Sequence, residues 1–181
     1  MESGKIMLEA ADLTVNISGR NIVDQLNFTV SEGQWLMVVG PNGAGKTTAI
    51  RALAGDVAYI GTAVFDGKSI KNMRAAERAS CIGVLSQTNA VGYAFSVEEI
   101  VRLGCYAHKD KSKDNEAVEA ALAATGLEEL REHSVMTLSG GERQRTFLAQ
   151  VLAQDPRLLI LDEPATYLDP AYQKQTFEMI G

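Results

Sequence analysis

Apolar and polar positions follow two different rhythms along this chain. In residues 7–30 apolar residues come in short stretches, 7–10, 13–15 and 26–30, separated by polar ones and by a Ser18-Gly19 turn signal. This pattern predicts short strands in an antiparallel region. Residues 35–39, WLMVV, form a continuous apolar run that predicts a buried strand, and 46–54 then predicts a helix closed by Gly55. Residues 62–65 predict a strand ending at the Asp66-Gly67 turn, 73–79 a short helix, and 82–85 another strand.

Between 87 and 157 the strand signal disappears. Ser96 and Glu99 form an S-x-x-E capping box that opens a helix to about Leu103, and 115–125 is an alanine-rich helix stopped by Gly126. Ser139 and Glu142 repeat the box ahead of an apolar face of Phe147, Leu148, Val151 and Leu152. Residues 157–161, RLLIL, suit a parallel strand buried on both faces. Asp169 and Pro170 then start a last helix. The expected fold is therefore α/β, with an N-terminal antiparallel β region and an inserted α-helical subdomain. Residues 1–87 and 157–181 would make the α/β core, and 88–156 the helical part.

With 181 residues, 46% of them hydrophobic and 22% charged, the chain can bury a core of its own. Its formal net charge is −6, which leaves no basic footprint for nucleic acid, so no specific nucleic-acid partner is expected. The apolar runs are far shorter than the roughly 20 residues that cross a bilayer, and the N-terminus lacks a signal-peptide core. A cytoplasmic protein is expected. Cys81 and Cys105 read as reduced packing residues, and His108 and His133 as surface residues without partners at ligand spacing.

Residues 40–48, GPNGAGKTT, satisfy G-x-x-x-x-G-K-[ST] with Gly40, Gly45, Lys46 and Thr47. A strand, a glycine-rich turn and a helix start in succession let backbone N–H groups of Pro41's neighbours, Asn42, Gly43, Ala44 and Gly45, converge on phosphate. Lys46 supplies a point charge to the β- and γ-phosphates, and the Thr47 hydroxyl, beside Thr48, helps hold Mg2+. Asp162 and Glu163, at the end of the 157–161 run, are the acidic partners that nucleotide hydrolysis requires. Asp162 suits the metal, and Glu163 is placed to polarise the attacking water. Ser139, Gly140 and Gly141 pose a puzzle, because each glycine in a first helical turn costs up to about 1 kcal/mol relative to alanine. Clearance explains them: a bare helix start can approach a second phosphate closely.

The phosphate loop, the isolated Gln87, LSGGERQR, LLILDEP and YLDP, in this order, resemble the ATP-binding subunit of an ABC transporter, a phosphate-loop NTPase of RecA-like core. The resemblance runs from about Met7 to the end of the chain. It implies that Ser139 and Gly141 contact the γ-phosphate of ATP on a second subunit's phosphate loop, so that a homodimer holds two nucleotides head to tail. It also implies that Gln87 senses the magnesium ion and the attacking water, that Glu163 is the catalytic carboxylate and that Asp169 lies across the dimer seam. The helical subdomain would dock on an integral membrane permease, through an apolar or aromatic groove on 88–135. That would place the subunit on the inner face of the membrane.

The stretch from Phe95 through Gly104 to His108 is similar to importers of iron–siderophore, haem and cobalamin. The family's adenine-stacking aromatic position aligns with Ile17, which implies apolar contact with the base instead. A switch histidine after the last helix has no counterpart here, so the resemblance implies a C-terminally shortened chain that binds magnesium-ATP with weak turnover. A rival resemblance, to soluble ABC ATPases acting on nucleic acid or ribosomes, lacks the zinc or coiled-coil insertion expected before LSGGERQR, the family's signature segment.

Overall fold

The alternation near the N-terminus builds a long hairpin. In a computed structural model that describes residues 4–86, 93–164, 172 and 174, β1 (Ile6–Ile17) pairs antiparallel with β2 (Arg20–Ser31) across the Ser18-Gly19 turn. The gaps in the sequence pattern are bulges. Asp12 and Gln25 take left-handed backbone conformations at φ 49° and 48°, and the register shifts on either side of Leu13. Asn27 Oδ1 accepts the Asp12 N–H at 2.9 Å, and Thr14 Oγ1 accepts the Gln25 N–H at 2.9 Å. Each extra residue thus has a side chain that satisfies its backbone, and the three short strands expected become two continuous ones.

β1 also pairs with β3 (Ile60–Phe65), which turns at Asp66-Gly67 into β4 (Lys68–Ser69), giving a sheet of order β2-β1-β3-β4. Leu8, Leu13, Val15, Ala63, Phe65 and Ile70 are buried beneath it, together with Ala52 and Leu53 of α1 (Lys46–Leu53). These elements form one compact unit, residues 1–78. Residues 35–39 are not a strand. The run finds no hydrogen-bonded neighbour among the described residues, and Trp35, Leu36, Met37, Val38 and Val39 are all exposed. An apolar run supplies a strand's side chains, but the ladder needs a second chain segment.

The second unit, residues 79–181, begins near α2 (Ala75–Ala79), which is the short helix expected at 73–79. It contains β5 (Ile82–Leu85), α3 (Val97–Leu103), α4 (Asp114–Thr125), α5 (Gly140–Ala153) and β6 (Leu158–Leu161). β5 and β6 pair in parallel, with Leu85 opposite Leu161. They group with the helices in this unit, and the four β6 residues are half-buried rather than sealed on both faces. Val97, Val101, Val118, Leu122, Leu127, Val135 and Leu148 form its core.

Both expected capping boxes are present. Ser96 Oγ accepts the Glu99 N–H at 3.2 Å, and Glu99 Oε2 accepts the Ser96 N–H at 2.7 Å. Replacing Ser96 with alanine is expected to cost about 1 kcal/mol of stability, read from urea denaturation. Gly126 stops α4 at φ 62°, and Arg145 caps the freed carbonyls, donating to Thr125 O at 2.8 Å and Gly126 O at 3.1 Å. The expected last helix from Asp169 lies outside the described residues apart from Tyr172 and Lys174, which are helical. No helix among the described residues is long and apolar enough to cross a membrane.

Candidate nucleotide site

In the first unit the chain leaves residue 39 and closes a turn at 40–45 in which Pro41 O accepts the Ala44 N–H at 3.2 Å. Gly43 and Gly45 stand at φ 81° and 89°. A Cβ on Gly45 would meet the backbone oxygen of Ile22 at 2.4 Å, so both conformation and space require glycine there. Gly45 is also the N-cap of α1 and offers no side-chain acceptor. The first N–H groups of that helix are therefore left for a ligand. Lys46, the first residue of α1, folds back so that Nζ donates to Gly40 O at 2.8 Å and Pro41 O at 3.1 Å. Its ammonium thus lies over the loop mouth. Thr47 is exposed, and Asn42 and Gly43 are open to solvent. Ile17, at the end of β1, is exposed as well.

In the second unit Asp162 follows the last residue of β6, its N–H donating to Leu85 O at 2.9 Å. Its side chain is only 4% exposed, and Oδ2 is buried without a hydrogen-bond partner. A buried carboxylate oxygen left unsatisfied is costly unless a cation or water completes it, so the donor set fits a hard divalent ion. Glu163 is exposed and held at φ 54°, a conformation that costs a non-glycine residue about 1–2 kcal/mol. Sequence reasoning passed over Gln144, which is buried within α5 and donates from Nε2 to Pro164 O at 3.3 Å. The signature helix thereby grips the turn that follows Asp162 and Glu163. A polar residue on the buried face of the α5 pattern was the available signal.

At the start of α5, Ser139 Oγ accepts the Glu142 N–H at 3.3 Å and Glu142 Oε2 accepts the Ser139 N–H at 2.8 Å. Hydrogen bonds from Ser139, its side chain first and then its backbone, hold the Glu142 carboxyl below the usual range. The box uses the N–H groups of Ser139 and Glu142, and those of Gly140 and Gly141 have no intrahelical partner. Ser139 and Gly140 are exposed and Gly141 is half-buried. The helix start is thus an open pair of donors on the surface. Gln87 and Asp169 lie outside the described residues.

A groove of about 290 Å³ opens nearby in the same unit, lined by Leu85, Leu103, Tyr106, Phe147, Gln150 and Val151 among others. Leu103 and Tyr106 are exposed on its rim. The groove draws on 88–135 only through Leu103, Gly104, Tyr106 and Ala107. Its floor comes from β5 and α5. The histidines divide: His133 is exposed as expected, whereas His108 is half-buried and does have partners, Asp114 and Gln154. Its ring is enclosed because the chain turns back on itself between α3 and α4. Cys81 and Cys105 are not in a disulfide, and burial, then the Asp114 charge, pushes the Cys105 thiol up.

The family model described as ABC transporter matches residues 23–166. A hemin import ATP-binding protein of Gloeobacter violaceus is 40% identical, the alignment covering 94% of this chain and 66% of that protein. The chain thus spans about two thirds of the length of that relative. The solved ATP-binding subunit of an ABC transporter superposes with a TM-score of 0.86 at 24% identity, covering 96% of this chain and 73% of the other. CbiO1 of Clostridium perfringens, part of the ABC transporter complex cbiONQ, gives 0.82 at 29% identity, covering 97% and 72%.

Proposed function

Because the chain belongs to the ABC transporter family, as one of its ATP-binding α/β phosphate-loop subunits, we propose that it binds magnesium-ATP and hydrolyses it in a head-to-tail pair with a second such subunit. The work drives import of a substrate through an integral membrane permease. An iron chelate, haem or cobalamin is the substrate class, supported by the 40% identity to a hemin import ATP-binding protein.

One observation carries this reading: the α5 start presents Ser139 and Gly140 to solvent, with the glycine N–H groups uncommitted. A second phosphate-binding helix start on the surface suits a nucleotide held by another molecule. The phosphate loop, residues 40–48, holds the nucleotide of its own subunit. Lys46 neutralises the β- and γ-oxygens as charge moves between them, and Ile17 offers apolar contact to the base. Thr47 and Asp162 would hold Mg2+, with Gln87 by the resemblance. The ion supplies charge neutralisation across the phosphate oxygens. Glu163 accepts a hydrogen bond from the attacking water and so increases its nucleophilicity. Asp169 belongs to the seam between subunits.

Functionally, 1–87 with 157–181 serve the nucleotide, and 88–156 carry the signature and the permease contact. The groove beside Leu103 and Tyr106 suits a helix from that permease, and an apolar rim supports it. The subunit then works at the inner face of the membrane.

Gly141→Asp separates the two phosphate sites. A carboxylate in a helix's first turn is favourable for folding by about 0.3–1 kcal/mol, yet it repels a partner's γ-phosphate. Analytical ultracentrifugation of the parent chain should show an ATP-dependent dimer with magnesium. The variant should bind nucleotide as a monomer and stay monomeric. An ATP-dependent dimer that tolerates the substitution would remove this role from the α5 start.

A further inference from the structure

Away from the nucleotide residues, three side chains of different chemistry converge in the helical unit. α3 passes directly into a tight helical turn, Gly104–Ala107, that packs closely on α5 and sinks Cys105 until it is 1% exposed. His108 ends that turn with an extended backbone. The chain then reverses at Asp110, whose carboxylate accepts from Ser112 N at 3.0 Å and Ser112 Oγ at 2.6 Å. This reversal brings Asp114, the first residue of α4, back over the turn. One ligating atom from each of Cys105, His108 and Asp114 lies within 4.8 Å of the other two.

The hydrogen bonds around His108 define what this cluster lacks. Nε2 lies 3.3 Å from Gln154 O, and a carbonyl only accepts, so the tautomer with hydrogen on Nε2 is the one that pairs with it. Nδ1 lies 2.8 Å from Asp114 Oδ1, and a carboxylate also only accepts. With hydrogen on Nε2, Nδ1 turns its lone pair toward the Asp114 carboxylate, and a cation shared between the two completes that arrangement. An imidazole whose far nitrogen is fixed on a backbone carbonyl is the arrangement found in metal-ligating histidines. Cys105 Sγ lies on the same side, 3.7 Å from Asp114 O and 3.6 Å from Ala153 O. Lys111 closes the outer edge. Its Nζ donates to Cys105 O at 2.7 Å and Tyr106 O at 3.1 Å, and sits 3.7 Å from Asp114 Oδ2. One carboxylate oxygen thus faces the lysine and the other faces the histidine.

We propose that Cys105, His108 and Asp114 form a site for a borderline divalent transition metal, zinc being the ion that matches a thiolate, an imidazole and a carboxylate together. Binding replaces the proton on Sγ with the dication, and that proton leaves to solvent. The thiolate and carboxylate balance the two positive charges, and Lys111 remains outside the set. The ion joins the end of α3 to the start of α4, and through the His108 to Gln154 hydrogen bond it ties both to α5. It should therefore stabilise the helical unit without nucleotide.

The test uses the 181-residue chain stripped of metal with EDTA and titrated with zinc chloride in the absence of ATP. Calorimetry should give one zinc per chain and melting a raised midpoint. Cobalt(II) in its place should give the near-ultraviolet thiolate-to-metal absorption of a cysteine ligand. Cys105→Ser and His108→Gln should each weaken zinc binding at least tenfold and cancel the rise in melting temperature. His108 is half-buried, so His108→Gln and the cobalt spectrum of the parent chain keep the test open if Cys105→Ser does not fold. Failure of the parent chain to retain zinc would overturn the proposal and leave His108 simply hydrogen-bonded to Asp114. Equal retention by His108→Gln, or a cobalt complex without thiolate absorption, would overturn it too.

Discussion

Replacing Lys46 with alanine is expected to lower the affinity for magnesium-ATP by about 100-fold or more, with the fold intact. The ammonium is held over the loop by two neutral carbonyls, Gly40 O and Pro41 O. A triphosphate is a better acceptor than either, and a hydrogen bond between charged groups contributes about 1.5–3 kcal/mol. Two such bonds account for the expected loss. Folding gains little from a cation at this position, because its hydrogen bonds to Gly40 O and Pro41 O are both exposed to solvent. Lys46 opens α1, and the positive end of a helix disfavours a positive side chain by about 0.3–1 kcal/mol. Stability and binding should therefore move in opposite directions in the variant. Titration with a fluorescent ATP analogue, run beside thermal melting, checks both. Affinity within threefold of the parent chain would show that the loop's backbone N–H groups suffice.

That opposition is one reason the phosphate loop was legible in the sequence. Lys46 at an uncapped helix start is a poor choice for folding alone, and the left-handed backbone at 43 and 45 marks a turn that only glycine adopts readily. The α5 start is legible for the same reason. The helical elements were also readable, because capping boxes at Ser96 and Ser139 and the stop at Gly126 are local signals whose partners lie within four residues. Strands were less so. β1 and β2 looked broken because bulges at Asp12 and Gln25 interrupt the alternation without ending the ladder. Residues 35–39 looked like a buried strand because apolarity is local, whereas pairing depends on a distant segment. The cluster at Cys105, His108 and Asp114 was missed for a related reason. Its spacing matches no metal motif, and only the reversal at Asp110 brings Asp114 back to the turn. Gln144 was hidden because, with Thr146, it is one of two polar residues buried among the apolar ones of α5.

Gly104→Ala is the substitution expected to cost the helical unit most, about 3 kcal/mol or more. Its backbone conformation, φ −57° and ψ −35°, is helical. On conformational grounds alone alanine would therefore be favoured there by about 0.5–1 kcal/mol. Packing decides otherwise. A Cβ at this position would stand 2.0 Å from Gln150 O and 3.2 Å from Gln154 N, both backbone atoms of the α5 segment. Neither can rotate away as a side chain would. α5 cannot retreat cheaply, since Phe147, Leu148 and Val151 are buried in the same core. The turn carrying Cys105 and His108 must then lift off α5, which lengthens the His108 to Gln154 hydrogen bond and opens the floor of the groove beside Tyr106. Urea denaturation should show a lowered midpoint with little change in slope, and a midpoint that rises instead would mean that the close approach of the two backbones does not exist in solution.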